Sequence, residues 1–181
     1  MVDHADRRRQ VAKCASQLIA AGGTDAVTVR EVARAAGSST TVVSHYFRDK
    51  RELLEFTYQE AAAEARARAH AALAADPGDV RGVVEALLPL DEERLVSWRI
   101  NAAFWGRALG DRALADEQRA RVDGARELLV SALTERREPD PEIVAEELLA
   151  LVIGVAVQAV FDPDRWPAER QRAVVDTLGL R

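Results

Sequence analysis

Residues 28–47 read TVREVARAAGSSTTVVSHYF, and their reading decides the fold. Thr28 and Glu31 are spaced as a capping box, in which hydroxyl and carboxylate satisfy each other's exposed backbone donors. A short helix follows to about Ala35, with Val29, Val32, Ala33 and Ala36 inward. Gly37 ends it, because glycine tolerates the left-handed conformation of a sharp turn. Ser38 or Ser39 then caps a second short helix, Thr40 to Tyr46. Val43 and Phe47, at i and i+4, anchor inward, which leaves Thr40, Thr41, Ser44 and His45 facing outward. A helix crowded with Thr and Ser has poor intrinsic propensity, so a demand other than stability selects it. Two short helices about a glycine turn, the second presenting small polar side chains, make a helix-turn-helix suited to a DNA major groove. The plainer reading is an ordinary corner between two helices of a bundle.

Outward from this stretch the chain reads as helix throughout. Upstream, Val11, Cys14, Ala15 and Leu18 recur with helical spacing in a helix from about Asp6 to Ala21, stopped by Gly22-Gly23. Cys14 sits on that stripe and reads as a small buried hydrophobe. Downstream, Asp49-Lys50-Arg51-Glu52 caps a long helix to about Ala74, whose second half is rich in alanine and spaces Glu64 and Arg68 as an i,i+4 pair. Breaks at Asp76-Pro77-Gly78, Pro89, Gly110-Asp111, Pro139-Asp140-Pro141 and Asp162-Pro163-Asp164 divide the rest into five helices. These run about Asp79–Leu88, Asp91–Leu109, Arg112–Arg137, Pro141–Phe161 and Pro167–Leu178. Asp140 is placed to cap the eighth helix, with Pro141 at its first position. The expectation is an all-α fold of about nine helices.

Composition sets the classes that remain. The chain has 181 residues, enough for one medium domain or two small ones with a real core. One cysteine excludes a disulfide framework and a cysteine-rich zinc site. Met1 to Gln10 is charged with no apolar stretch behind it, so no signal peptide is read. The apolar run Leu148 to Val160 is short for a membrane span, and the expectation is a cytoplasmic protein without membrane contact. His4, His45 and His70 fall in three segments without metal-ligand spacing, and no nucleophile elbow or phosphate-cradling glycine loop occurs. No enzyme, metal or cofactor is expected.

Charge is split along the chain. Residues 1–52 carry nine bases against six acids, a net of +3, and the remainder 16 bases against 24 acids, a net of −8. A basic amino-terminal module on an acidic body fits nucleic-acid binding through one end. Lys50, opening the long helix, can hold a phosphate together with that helix's backbone N–H groups.

The run Thr28 to Ser39, followed by Val43-Ser44-His45-Tyr46-Phe47-Arg48-Asp49-Lys50-Arg51-Glu52-Leu53-Leu54, closely resembles the DNA-binding domain of the TetR family of bacterial transcriptional regulators. The Ser-His-Tyr-Phe variant with Lys50 just beyond it is most similar to the BetI-like subgroup. Trp98, the run Leu148 to Gly154 ahead of Gln158, and Asp162-Pro163 are compatible with that subgroup. The resemblance implies a dimeric repressor released by a small-molecule effector. Its DNA-binding domain would be residues 1–52, and its effector-binding and dimerisation domain residues 53–181. It implies that Thr28 meets a phosphate and Arg30 a phosphate or base edge. Ser39, Thr40, Thr41, Ser44 and His45 would lie in or beside the major groove, with Tyr46 and Lys50 on the backbone. Ser44 stands where many members have a phosphate-contacting tyrosine, and Ser38 where a small apolar residue packs the turn. Within the family, ligand pressure on the fourth helix swings the DNA-binding domains apart.

Two features of the body carry further expectations. The eighth helix is apolar nearly all round from Leu148 to Phe161, so it needs cover on two sides. Ala150, Gly154 and Gln158 form a stripe of mostly small residues. With Val157 and Phe161 they are the expected dimer interface, placing two recognition helices on one face of a pseudo-palindromic operator. In a chain poor in aromatics, Trp98, Asn101, Phe104 and Trp105 on the sixth helix, with Tyr58 on the fourth, are candidates to line an effector pocket. Plain core packing is the other reading of that cluster, and an apolar or a cationic ligand would suit it. A helical protein–protein module without sequence-specific DNA binding is the alternative function.

Overall fold

The computed structural model describes residues 4–180. Arg181 and the first three residues of the charged amino-terminal stretch lie outside the described residues. Among the described residues the chain is all-α, with nine helices, one short 3-10 turn at Thr24–Ala26 and no strand. The helices are α1 (His4–Gly22), α2 (Val29–Ala35), α3 (Thr40–Tyr46), α4 (Lys50–Ala75), α5 (Val80–Leu87), α6 (Glu92–Ala108), α7 (Arg112–Glu135), α8 (Pro141–Phe161) and α9 (Ala168–Asp176).

Side-chain caps fix most of the starts. Thr28 Oγ1 accepts from Glu31 N at 3.1 Å, Ser39 Oγ from Val42 N at 3.3 Å, and Asp49 Oδ1 from Glu52 N at 2.8 Å. Asp79, Asp91 and Asp111 do the same for α5, α6 and α7. Such caps contribute roughly 1 kcal/mol each. The capping box of α2 is only half made. The Glu31 carboxylate turns forward to accept twice from Arg34, at 3.0 and 2.7 Å, a charge-assisted contact that outcompetes a neutral N–H. Asp140 makes no side-chain cap, but Pro141 at the first helical position removes a donor that would otherwise need one. Gly37, at φ 59°, closes α2 with Ser38 N donating to Ala33 O at 2.9 Å and Gly37 N to Arg34 O at 3.2 Å.

The expected stripe on α1 is rotated. Val11 and Ala15 are buried as expected, joined by Ala12 and Ile19, while Cys14 and Leu18 are half-buried. The cause is that α1 packs against both α4 and α6, which recentres its buried face. Burial still pushes the Cys14 thiol up.

Two core clusters result. One joins Val32, Val43 and Phe47 of the helix-turn-helix to α1, to Leu53, Leu54 and Tyr58 of α4, and to Ile100 and Phe104 of α6. The other joins α5, α7, α8 and α9 to Ala69, further along α4. Residue 52, the expected domain boundary, lies in the first turn of α4, which runs unbroken through both clusters. Gly82 lets α5 approach: a Cβ there would sit 3.0 Å from Ala72 Cβ and on top of the Asp79 cap. Helix α8, at 21 residues, is long and apolar enough by composition to cross a membrane, beyond what its apolar run alone suggests. One side of it, from Ala145 through Leu149 and Val152 to Ala159, is core.

Candidate nucleic-acid interface and internal cavity

The caps and Gly37 set α3 across α2 so that its two faces separate cleanly. Val43 and Phe47 are fully buried, while Ser39, Thr40, Thr41, Ser44 and His45 are exposed, as are Thr28 and Arg30. Tyr46 is half-buried, its ring 4.8 Å from that of His4 and 5.3 Å from that of His45. Lys50 opens α4 beside the Asp49 cap. Most bases here are already neutralised: Arg34 by Glu31, Arg48 by Glu52, and Arg51 by Glu55 and Asp111. Arg30 and Lys50 make no ion pair among the described residues. The face therefore offers short donors and acceptors flanked by two uncommitted cations, which suits base edges and phosphates.

A brace behind this face escaped the sequence reading. The Arg8 guanidinium lies 4.8 Å from the Phe47 ring and 4.5 Å from the Phe56 ring, and donates to Glu52 Oε1 at 3.1 Å. Glu52 Oε2 also accepts from Arg48 N at 2.9 Å and Arg48 Nε at 3.1 Å. The Arg48 backbone and side-chain donors hold the Glu52 carboxyl below its usual range. One carboxylate thus ties α1, the end of α3 and the start of α4 together. Ser38, in the turn, has its hydroxyl buried without a partner.

On the far side, α8 leaves an uncovered stripe. Ala150, Gly154 and Gln158 are exposed, Val157 is half-buried, and a Cβ at Gly154 would meet nothing within 4 Å. Ile143 and Phe161 are 63% and 82% exposed.

Between these regions lies a cavity of about 100 Å³ walled by α4, α6, α7 and α8, with Leu87 from α5. Trp98, Asn101 and Trp105 line it. Trp98 donates from Nε1 to Leu87 O at 2.8 Å and meets Trp105 edge to face. Tyr58 and Phe104, expected beside them, do not line it. Their rings stack at 4.5 Å in the first core cluster, and the Tyr58 hydroxyl bonds Gln118. Phe104 is one residue from Trp105, so about 100° of helix rotation separates wall from core. The cavity also contains Arg66, Arg68, Arg94 and Arg121, of which the sequence singled out only Arg68, and that as a partner for Glu64. Arg68 makes no ion pair with Glu64 and instead reaches Ala86 O at 3.4 Å.

Comparison with known proteins agrees with this architecture. Residues 13–56 match the family described as bacterial regulatory proteins, tetR family, and residues 78–178 match the BetI-type transcriptional repressor carboxy-terminal domain. The regulator BetI of Escherichia coli K12 is 31% identical, the alignment covering 92% of this chain and 88% of that protein. PksA of Bacillus subtilis is 28% identical, covering 96% and 88%. Among solved structures, a transcriptional regulator from Rhodococcus sp. Rha1 superposes with a TM-score of 0.82 at 31% identity, over 94% of this chain and 92% of that one. A regulator from Saccharomonospora viridis, solved with choline, superposes with a TM-score of 0.83 at 20% identity, over 96% and 95%.

Proposed function

We propose, for a chain that belongs to the TetR family of bacterial transcriptional regulators and carries a BetI-type carboxy-terminal domain, that it is a homodimeric repressor released from its operator by a small molecule. It regulates transcription and is not an enzyme. The observation that carries the reading is the division of α3 into a buried Val43/Phe47 side and an exposed Thr40/Thr41/Ser44/His45 side. Residues 1–52 would hold the DNA contacts, with Thr28, Tyr46 and Lys50 on phosphates and Arg30 on a base edge. Residues 53–181 would hold the effector cavity and the dimer contact, and the protein would act in the cytoplasm. Exposure of Ile143 and Phe161 beside Ala150, Gly154, Val157 and Gln158 supports pairing of α8 with its mate. Two recognition helices related by a two-fold axis call for a pseudo-palindromic site. The neighbour solved with choline supports a small-molecule occupant for the cavity.

The test is fluorescence anisotropy on DNA from the region upstream of the chain's own gene, over a range of salt. Wild type should bind a discrete site, with affinity falling steeply as salt rises. Lys50→Ala should weaken every sequence alike and lower the salt slope by about 1. Arg30→Ala should relax preference at one position, by on the order of 1–3 kcal/mol. Binding independent of salt and sequence would leave a helical interaction module as the reading. Gly154→Leu should shift the sedimenting species toward monomer, and an unchanged dimer would remove α8 from the interface.

A further inference from the structure

The cavity wall is chemically one-sided. Its charged members are Arg66, Arg68, Arg94 and Arg121, and among the described residues no aspartate or glutamate lines it. Among the described residues only Arg94 has a carboxylate partner, Asp91 at 2.9 Å, and it also donates to Glu85 O at 2.9 Å. Arg121 bonds the amide oxygen of Asn101 and lies over the Tyr58 ring at 4.8 Å. Arg68 has the long contact to Ala86 O, and Arg66 packs its guanidinium against Gly124. Among the described residues none of these three makes an ion pair.

The acids nearest Arg68 do not close this balance. Asp91 is engaged with Arg94, while Glu64 and Glu93 line a separate groove between α1, α4 and α6. Burial and the neighbouring Glu93 push the Glu64 carboxyl up, away from the charged form. Burial and the nearby Arg94 push the Arg68 guanidinium down, the mark of a cation short of water and crowded by like charge.

Hydrogen-bonding capacity leans the same way. The Asn101 side-chain oxygen is taken by Arg121, and that of Gln118 by Tyr58. Ser97 donates its hydroxyl proton to Glu93 O at 3.1 Å, which leaves its oxygen able to accept. The wall thus offers the guanidinium donors of Arg68 and Arg121 without carboxylate partners and, beyond the Ser97 hydroxyl oxygen, few free acceptors, beside a pair of indole rings. A ligand that only accepts, and carries negative charge, matches that inventory. A quaternary ammonium does not: it offers no acceptor and meets the half-buried guanidinium groups of Arg68 and Arg121, while Arg66 is exposed.

We propose that the cavity takes a small carboxylate with an aromatic or branched apolar body, its charge held by Arg68 and Arg121 and its body against Trp98 and Trp105. This rests on the reading of the cavity as the effector site, and it fixes the charge of the effector.

The experiment is isothermal titration of the full-length protein with four probes: phenylacetate, its neutral counterpart 2-phenylethanol, its cationic counterpart 2-phenylethylammonium, and choline. Phenylacetate should bind at least tenfold more tightly than the alcohol, and both cations more weakly than the alcohol. Arg121→Gln and Arg68→Gln should each weaken phenylacetate at least tenfold and leave 2-phenylethanol within twofold. Arg121→Lys, which keeps the charge, should retain most of the preference, and thermal melts establish that each variant is folded. A cation binding as tightly as phenylacetate would overturn the inference. If that cation also released DNA, the effector-site reading would stand and only the charge assignment would fall. Phenylacetate binding unaffected by both glutamine variants would place the anion elsewhere and equally overturn it. Failure of all four probes to bind the folded protein would overturn the inference and remove the support for a small-molecule site in this cavity.

Discussion

Arg8 and Arg121 each lay a guanidinium on an aromatic ring, and from there they diverge. Arg8 sits over Phe47 and Phe56 with its charge met by Glu52, which also receives the backbone and side chain of Arg48. Arg121 sits over Tyr58 with only an amide oxygen to meet it. A cation with ring and carboxylate together is a closed joint that fixes geometry. A cation with a ring and no carboxylate, in the wall of a cavity, keeps its charge available. The first sets the angle at which α3 is presented, and the second leaves a function to be supplied from outside.

Removing the closed joint should have the largest effect. Arg8→Ala loses two ring contacts and strips Glu52 of one of its cations, for a loss of about 2 kcal/mol of stability in urea unfolding. A loss below about 0.5 kcal/mol would mean that the joint is a surface pair of ordinary weakness.

Glu52→Gln should cost less, because its amide oxygen still accepts from Arg48 N. Its signature is in pH. A carboxyl held below its usual range stabilises the fold above its unfolded-state value, about 4.3, and that stability is lost as pH falls through the lower folded-state value. Wild type should therefore exceed the glutamine variant in melting temperature at pH 7, and the gap should narrow steadily below about pH 4.3. A gap independent of pH would break the assignment.

Ser38→Ala should move the other way. The hydroxyl is buried without a partner, so removing it should raise stability by about 1 kcal/mol, read in the same unfolding experiment. The smallest change belongs to the open site. Without added carboxylate, Arg121→Gln should alter stability by no more than about 0.5 kcal/mol, since the lost ring contact is offset by relief of an uncompensated charge. A loss as large as that of Arg8→Ala would erase the distinction between the two sites.

The amino-terminal end was legible because its determinants are local. Thr28, Ser39 and Asp49 each cap a donor three residues on, and Gly37 marks its own turn, so spacing alone places α2, α3 and the start of α4. The cavity was only half legible. Trp98, Asn101 and Trp105 stood out because aromatic residues are scarce in this chain, but Phe104, one residue away, faces the core against Tyr58. That distinction depends on how α6 is rotated against α4, which no spacing within α6 records. The arginines were hidden for a related reason. Arg66, Arg68 and Arg121 sit in helices full of charge, where inward and outward arginines look alike until α4 and α7 are packed together. Arg8 was hidden too, since its partner Glu52 lies 44 residues away.

The placement of the indoles has an optical consequence. Two of the three tryptophans, Trp98 and Trp105, share the wall of one cavity, while Trp166 lies apart, beneath the Arg170 guanidinium. Trp98 donates to Leu87 O at 2.8 Å and meets Trp105 edge to face, so the two indoles sense the same space. A charged occupant beside Trp98 and Trp105 would change the electrostatic surroundings of their excited states and leave the emission of Trp166 as an internal reference. The ultraviolet emission of the unlabelled protein is thus a direct gauge of whether the cavity is filled.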